Sequence, residues 1–457
     1  MATSIALFTQ DLRLHDNPVL HTALASADEV VPLFVLDTEL HRTGFAVPNR
    51  VAFLGDCLEA LDAGLRARGG RLVLRHGDAV AEAVTLAERL GAASVHIAAG
   101  VSAFAQRRED RLRTALGDRL RVHDAVLTVV APGEVTPGGR DHFAVFTPYL
   151  RRWQAGHRDP LAAPRRVPVP REATGLPVAA ARELLVRSAP GEVSPGVPRG
   201  GEEEARRRWG QWLSGPVDGY AERHDDLFGD ATSRLSPFLH FGCLSALEAV
   251  HGAERAGGPG AEAFVRQLAW RDFHYQVLAA RPASGRADYR PRHDSWRQDP
   301  GQAAAWRAGR TGYPLVDAGM RQLAAEGWMH NRARLLTASF LTKTLYLDWR
   351  EGAAHFLALL VDGDVANNQL NWQWVAGTGT DTRPNRVLNP LAQARRFDPA
   401  GDFVRRWVPE LAGVAGGAVH RPWLLPAGQR AGLDYPEPIV DLDAAVRRFR
   451  RARGLDG

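Results

Sequence analysis

The chain has 457 residues, a length that at roughly 150 residues per domain predicts two or three domains. Hydrophobic residues make up 45% and charged residues 24%, which excludes disordered and fibrous classes, and no apolar run reaches the roughly 20 residues of a membrane helix. The formal net charge of +5 permits a polyanionic partner without requiring one. Because Cys57 and Cys243 cannot form a disulfide framework and no signal peptide is evident, we expect a cytoplasmic protein.

Up to about residue 130, short apolar runs alternate with stretches of helical periodicity. This alternation is typical of βαβ units and predicts an α/β domain with a doubly wound parallel sheet. Such a sheet binds ligands beyond the carboxyl ends of its strands, where Asp37 and Gly100 lie here. No GxGxxG motif follows the first strand, which disfavours a dinucleotide dehydrogenase. The predicted strands are 5–8, 30–36, 72–74, 95–98 and 126–130, and the predicted helices are 51–68, 79–90 and 104–116.

The remainder of the chain differs in composition and pattern. All 12 tryptophans lie at or after Trp153, and the residues from 159 to 199 contain eight prolines and no convincing periodicity. From about residue 202 the pattern is helical almost throughout. We therefore predict an α/β domain over 1–130, a long interdomain connector over 131–200 and an all-α domain over 201–457.

Four groups of polar residues in the helical part indicate sites. Hydroxyl groups and an arginine in 232–236 precede Pro237 at a helix start, which suits either a phosphate cradle or an ordinary helix cap. In each of two further sets, the residues share one face of a predicted helix, and that face lines either a polar cavity or an exposed surface. The first set is Gln267, Trp270, Arg271 and His274, and the second is Asn331, Arg334 and Leu335.

The fourth group is an acid-rich and amide-rich run from 362 to 374. It lacks the glycine and glutamate that an EF-hand loop requires, so we expect no metal there. The chain shows no Ser-His-Asp signature, Walker loop or paired cysteine motif. Any chemistry is therefore expected to depend on a bound cofactor.

Several motifs, in this order along the chain, resemble those of the photolyase/cryptochrome family. The likeness extends to about Leu411 and is closest to microbial cyclobutane pyrimidine dimer (CPD) photolyases. It implies an α/β antenna domain, a long connector and a helical domain that holds FAD, in agreement with the element pattern. The motifs are 11–17, 232–236, 270–273, 328–332, 362–364 and 371–374.

The resemblance assigns the FAD site residue by residue. Tyr220 and 232–236 would hold the diphosphate, Arg334 would pair with Asp362 near the isoalloxazine, and Asn368 would face flavin N5. A neutral amide at that position cannot deliver a proton, which is compatible with an anionic, fully reduced flavin and favours repair over signalling. The implied cofactor-binding residues are Tyr220, Thr232, Ser233, Arg234, Leu235, Ser236, Arg271, Arg334, Asp362, Asp364 and Asn368.

The implied activity is that of a deoxyribodipyrimidine photo-lyase. Excited, reduced FAD would pass an electron to a dimer flipped out of UV-damaged DNA, the ring would split, and the electron would return. We expect a monomer. The implied catalytic residues are Gln267, Trp270, Asn331, Asn368 and Trp374. The implied DNA-binding residues are His224, Gln267, Trp270, Arg271, His274, Asn331 and Arg332, and other arginines around the cavity mouth would bind phosphates.

A chain of tryptophans is also implied by the resemblance. Trp372, Trp349 and Trp306 match its members, ordered from the flavin to the surface, where they would carry electrons that reduce an oxidised flavin. The alternative for each indole is ordinary core packing.

Some residues depart from the family pattern. Gln267 stands where CPD photolyases usually carry Glu, Leu335 replaces a common Met, and His224 replaces an Arg. These departures leave two alternatives, a cryptochrome-type photoreceptor with little or no repair activity and repair of (6-4) photoproducts. The antenna chromophore is a deazaflavin, a folate or absent, and its implied ligands are Phe34, Asp37 and Arg50.

Overall fold

The N-terminal part of the protein is a five-stranded sheet. In this computed structural model, which describes residues 1–455, all five strands are parallel and lie in the order β3-β2-β1-β4-β5. The central strand is wholly buried because helices cover both faces of the sheet. The predicted fold class is therefore confirmed. The strands are β1 (Thr3–Leu7), β2 (Glu29–Asp37), β3 (Val73–Gly77), β4 (Ser94–Ala98) and β5 (Leu120–His123).

Five helices accompany the sheet, and three of them begin at a capping side chain. Asn17, Asp78 and Ser102 each accept a hydrogen bond from a backbone N–H of the helix that follows. The three predicted helices are present, with ends within three residues of those expected. The helices are α1 (Pro18–Ser26), α2 (Thr38–Arg42), α3 (Pro48–Arg66), α4 (Ala79–Arg89) and α5 (Ala103–Leu116).

The strand predicted over 126–130 is wrong, because the fifth strand is β5. Residues 126–130 are buried but bond to side chains instead of to a neighbouring strand. The Asp272 carboxylate accepts hydrogen bonds from the N–H groups of Val129 (2.7 Å) and Val130 (3.2 Å), and Arg271 donates to the Leu127 carbonyl. These polar side chains satisfy the backbone groups that a sheet would otherwise have paired.

Two helices lie within the segment predicted as a connector, α6 (Phe146–Trp153) and α7 (Val178–Ser188). The second falls in the proline-rich stretch from 159 to 199, where no helix was predicted. Its buried residues are only Ala181 and Leu185, which pack beside α3, so its apolar face is too narrow to be visible as a periodic pattern. The rest of that stretch is irregular, as predicted.

The C-terminal part is helical, as predicted, and within residues 1–455 no helix is long and apolar enough to cross a membrane. A π-helical turn, Phe340–Leu345, follows α15. The helices are α8 (Glu202–Leu213), α9 (Tyr220–Arg223), α10 (Ser236–His240), α11 (Ala246–Ala256), α12 (Gly258–Ala280), α13 (Pro300–Arg307), α14 (Pro314–Glu326), α15 (Asn331–Ser339), α16 (Trp349–Leu359), α17 (Val365–Ala376), α18 (Pro390–Phe397), α19 (Asp402–Trp407), α20 (Ala427–Arg430) and α21 (Leu442–Ala452).

Buried polar contacts join the two parts of the molecule. Arg13, which is 1% exposed, donates to the carbonyls of Val126 and Gly242, and Asp272 also accepts a bond from the Trp153 indole at 2.9 Å. A buried carboxylate is costly unless its hydrogen bonds are satisfied, so these donors stabilise Asp272 in place. The contacts fix helix α12 against the segment that leaves the sheet.

Replacing Asp272 with Asn should therefore destabilise the fold. The substitution removes the charge that three N–H donors share, and we expect the free energy of unfolding to fall by about 2–3 kcal/mol. Chemical denaturation followed by tryptophan fluorescence measures it. Asp159→Asn, at an exposed carboxylate, is the matched control, and equal stability of the two variants would contradict the assignment.

Candidate functional site

A cavity of about 480 Å³ opens in the helical part of the molecule. This volume lies in the range of roughly 300–1,000 Å³ that is usual for small-molecule and cofactor sites. Its walls come from residues 220–239, from α12, from 328–338 and from 356–375. All the implied cofactor-binding residues lie on these walls, so the fold brings together motifs that are more than 140 positions apart along the chain.

The cradle predicted over 232–236 forms one end of the cavity. Helix α10 has only five residues, and no side chain caps its first turn. The hydroxyl groups of 232–236 therefore do not act as an ordinary helix cap. The Thr232 hydroxyl is buried without a partner, whereas Ser236 accepts a bond from the Trp328 indole. Arg234 lies over the Trp328 ring and pairs with Glu326. An unpartnered hydroxyl at this end suits a ligand with polar oxygen atoms.

The polar face of α12 lines the cavity, and the alternative of an exposed amphipathic face is wrong. Gln267 is exposed at the mouth, Trp270 is half-buried, and His274 is buried at the floor. Trp270 is stacked on Phe146 with ring centroids 3.7 Å apart, which fixes the plane of the indole. Arg271 donates to the Leu127 and Leu239 carbonyls, so the protein holds its guanidinium before any ligand binds.

An ion pair lies at the other end of the cavity. Nη2 of Arg334 donates to Oδ2 of Asp362 at 2.7 Å, as the resemblance implied, and Nε donates to the Met329 carbonyl. The second carboxylate oxygen of Asp362 is buried and has no partner. The pair therefore presents a permanent positive charge together with a free acceptor to whatever occupies the cavity.

Two further residues of this end have their positions fixed by helix α17. Asp364 caps the helix through the Asn367 N–H and accepts a bond from the Tyr275 hydroxyl at 2.7 Å. Asn368 uses both amide protons on the Ala353 carbonyl and the Gln369 side chain. Both residues line the cavity with side chains that the protein already holds in place.

Two histidines of the cavity are neutral. Burial lowers the pKa of His240 and that of His274 to about 4, and each has one ring nitrogen without a partner. Together with Thr232 and Asp362, four buried polar atoms on the walls lack partners within the described part of the chain. These atoms match the hydroxyl, phosphate and ring groups of a dinucleotide, so the residues present fit FAD. Within residues 1–455 no group of three or more His, Cys, Asp or Glu side chains that could hold a metal ion occurs.

The implied DNA-binding residues divide into two sets. Gln267, Asn331, Trp270 and His224 lie at or near the mouth and are exposed or half-buried. The other three are held by the protein. His274 is 3% exposed and neutral, Arg271 is committed to carbonyls, and Arg332 makes a two-bond ion pair with Asp225. Because His274 is buried, its implied role in DNA binding stays a prediction.

The implied antenna residues differ in their local contacts. Phe34 and Asp37 lie in β2, and burial raises the pKa of the Asp37 carboxyl. Arg50 instead donates four hydrogen bonds to the carbonyls of Phe45, Leu357 and Leu360, and thereby joins α3 to α16. Its guanidinium stabilises the contact between the two parts of the molecule, and the antenna site stays a prediction.

The surface position predicted for Trp306 is wrong. Trp306 is 1% exposed, and its ring centroid lies 6.0 Å from that of Trp372, which lines the cavity. Trp349 is also fully buried and donates to Asp288. Trp296 was not predicted from the sequence. Its indole is half-buried, and its ring centroid lies 5.0 Å from that of Tyr346, which is three residues before Trp349 along the chain. The order of the tryptophans from the cavity to the surface depends on how deeply each indole is buried. No local pattern along the sequence indicates which of two tryptophans is the more buried.

Basic residues beside the cavity mouth were not predicted individually. The loop after α17 carries Arg383 and Arg386, both exposed. Beside it, an open polar depression contains Arg140, Arg290 and Tyr289. The backbone N–H of Arg290 donates to the Thr378 carbonyl at 2.7 Å, which joins the two features into one basic edge.

Comparisons with known proteins identify what this arrangement is similar to. A family model described as "DNA photolyase" matches residues 4–167, and one described as "FAD binding domain of DNA photolyase" matches 264–454. A deoxyribodipyrimidine photo-lyase of Streptomyces griseus is 65% identical over all of both chains. A class III photolyase structure from Agrobacterium tumefaciens has a TM-score of 0.92 at 32% identity, covering 99% of this chain and 97% of that one. An archaeal photolyase structure from Sulfolobus tokodaii with two FAD molecules has a TM-score of 0.84 at 32% identity, covering 99% of each chain.

The neutral histidines make the stability of the protein depend on acidity. The folded-state pKa of His274 lies below its unfolded value of 6.5, so its contribution to stability is complete above pH 6.5 and is lost as the pH falls towards 4. The free energy of unfolding of the wild-type protein should fall between pH 6.5 and 5. In His274→Gln this fall should be smaller than in the wild type, by up to about 1.4 kcal/mol per pH unit.

Urea denaturation at a series of pH values measures this slope. His76→Gln, at an exposed histidine, is the matched control and should keep the wild-type slope. An unchanged slope in His274→Gln would mean that His274 is not a neutral buried group.

Proposed function

The chain belongs to the DNA photolyase family, and we propose that it is a deoxyribodipyrimidine photo-lyase that splits cyclobutane pyrimidine dimers in UV-damaged DNA with light. The observation that carries the proposal is the cavity, in which a charged interior that fits FAD lies beneath a mouth edged by two indoles. The helical part is an FAD-binding domain. When bound, FAD supplies a chromophore that donates an electron on illumination.

We assign the binding of the cofactor to the two ends of the cavity. The cradle at 232–236 and Tyr220 hold the diphosphate, where the free Thr232 hydroxyl accepts or donates a hydrogen bond. At the other end, Arg334 and Asp362 would hold the ring system. Because a guanidinium stays protonated at all working pH values, it favours an anionic ring over a neutral one. Asn368, whose amide has no proton of acidic character, does not neutralise that charge.

The mouth of the cavity receives the flipped dimer. Trp270 and Trp374 provide apolar faces, and each stacked base is worth about 1–3 kcal/mol on such a surface. Gln267 and Asn331 are exposed amides at the same mouth, with donors and acceptors for the edges of the pyrimidines. Once the dimer is seated, the two indole faces exclude water from the faces of its bases.

The DNA strands on either side of the dimer lie on the basic edge. Arg383, Arg386, Arg290 and Arg140 present positive charge beside the mouth, and phosphate contacts of this kind fix register without reading sequence. A single chain supplies the whole cavity, which supports action as a monomer. We place the protein in the cytoplasm. A deazaflavin or a folate near Phe34 and Asp37 is the antenna, if one is bound.

Repair activity is tested with a defined lesion. We expect the purified, reduced protein to restore intact thymines in an oligonucleotide that contains one dimer, under blue or near-UV light and not in the dark. Absorption of the DNA before and after illumination measures the conversion. A parallel substrate with a (6-4) photoproduct should stay unrepaired. Intact dimers after illumination of a flavin-loaded protein would support a photoreceptor instead.

The stacking role of Trp374 is tested by Trp374→Phe. A smaller ring stacks less well, so we expect about tenfold weaker binding of dimer-containing DNA and an unchanged flavin spectrum. Trp407→Phe, at a half-buried indole remote from the cavity lining, is the matched control. Fluorescence titration with labelled oligonucleotide gives both affinities, and equal affinities would remove Trp374 from the binding surface.

We propose that Trp372, Trp349 and Trp296 carry electrons between the cavity and the solvent. Trp372→Phe should abolish the photoreduction of oxidised flavin while sparing repair by chemically reduced protein. Trp296→Phe should slow photoreduction because it removes the half-exposed indole, and transient absorption measures both rates. If Trp306→Phe slowed the reaction more than Trp296→Phe, the electrons would leave by way of the buried Trp306 instead.

A further inference from the structure

Lys343 is the only lysine among the 57 basic residues of the chain, and it is buried. It lies in the π-helical turn Phe340–Leu345, a rare conformation that is frequent at functional sites. Its ammonium donates to the carbonyl of Pro384 at 2.9 Å and to that of Arg386 at 2.6 Å. Both acceptors belong to the loop after α17, which we call the mouth loop (residues 377–388).

The mouth loop folds back on itself and is attached to helix α15. It begins three residues after Trp374, at Gly377, whose φ of 84° lies in the left-handed region. A side chain at Gly377 would collide with the Pro384 carbonyl, so the first residue of the loop touches its second half. At the far end, the Leu388 N–H donates to the Ser339 hydroxyl at 3.1 Å. Helix α15 and the π-helical turn therefore hold the loop in one shape.

The outer surface of the mouth loop is basic. Arg383 and Arg386 are exposed, and neither guanidinium pairs with a carboxylate in the described part of the chain. Lys343 draws the backbone carbonyls on either side of Asn385 inward. Backbone carbonyls that point inward leave the neighbouring side chains free to point outward, towards a strand of DNA beside the mouth.

We propose that Lys343 is a positioning residue that holds the mouth loop in the shape that binds the DNA backbone. The inference rests on the proposed function and adds to it a specific attachment for one part of the DNA-binding surface. A compact ammonium with three donors fits between two carbonyls, whereas the wide, planar fork of arginine, used everywhere else in this chain, does not suit that space.

The surroundings of Lys343 are mixed in charge. Burial is the largest influence and lowers its pKa to about 7; Asp381 and Asp294 oppose that shift, while Arg453 and Arg386 add to it. The Phe449 ring of α21 lies 5.9 Å from the ammonium. Because a neutral amine still has two N–H donors, both carbonyl contacts survive deprotonation. The attachment therefore holds on either side of neutral pH.

Lys343→Met tests the proposal. The variant keeps an unbranched chain and loses the donors, so we expect about tenfold weaker binding of dimer-containing duplex, the size of one lost charged hydrogen bond. The repair yield at saturating DNA and the flavin spectrum should be unchanged, because the cavity walls are untouched. A parallel loss of saturating yield or of bound flavin would overturn the assignment and make Lys343 a residue of the core.

A double-mutant cycle separates action through the loop from a general loss of structure. In a background of Arg383→Ala and Arg386→Ala, Lys343→Met should cost little further affinity, because the groups that the loop presents are already gone. The same tenfold loss in that background would overturn the proposal. Arg140→Ala is the matched control, since it removes an arginine of the basic edge outside the loop and should leave the full effect of Lys343→Met in place.

Because the chain has one lysine, labelling with ¹³C-lysine gives a single side-chain NMR signal that reports Lys343. Addition of dimer-containing duplex should shift this signal in the wild type and not in Arg383→Ala, Arg386→Ala. If DNA shifts the signal and Lys343→Met weakens binding but no repair occurs, the proposed function fails and the attachment stands. If repair is normal while the signal and the affinity of Lys343→Met are unchanged, the attachment alone fails.

Discussion

The structure depends on a buried carboxylate, that of Asp272 in the middle of α12. On one side of this helix, the Asp272 carboxylate accepts hydrogen bonds from the N–H groups of Val129 and Val130. The Gln276 amide accepts a bond from the Phe143 N–H and donates one to the Phe143 carbonyl. The other side lines the cavity. Because one rigid helix does both, the position of the sheet and the position of the cavity wall are set by the same contacts. A shift at the junction would also move the residues of the cavity floor.

Burial determines the electrostatics of the cavity. It keeps His240 and His274 uncharged at neutral pH, whereas the Arg334 guanidinium lies in an ion pair with the buried Asp362 carboxylate. The interior thus contains the guanidinium groups of Arg271 and Arg334, the carboxylates of Asp362 and Asp364, and several neutral polar groups. This combination favours a ligand that is partly anionic and has many hydrogen-bonding atoms, as FAD has.

The cavity mouth combines an apolar surface at its edge with a basic surface farther out. The indoles of Trp270 and Trp374 edge the opening, and the arginines lie farther out, on the mouth loop and the depression beside it. A base that leaves the duplex exchanges stacking on its neighbours for stacking on tryptophan, while the phosphates remain at the charged rim. The mouth loop follows directly from the helix that carries Trp374, so the placement of one surface constrains the other.

The sequence by itself determined the features that local spacing controls. Apolar runs predicted four of the five strands, and the spacing of Gln267, Trp270, Arg271 and His274 placed them on one face, since both patterns repeat along a single element. Tertiary structure decided the rest. Residues 126–130 have the composition of a strand, yet Asp272, 143 positions away, takes their backbone bonds. Likewise, the burial of Trp306, the pairing of Arg332 with Asp225 and the contacts of Lys343 depend on segments that meet only after folding, and no periodicity along the chain encodes such meetings.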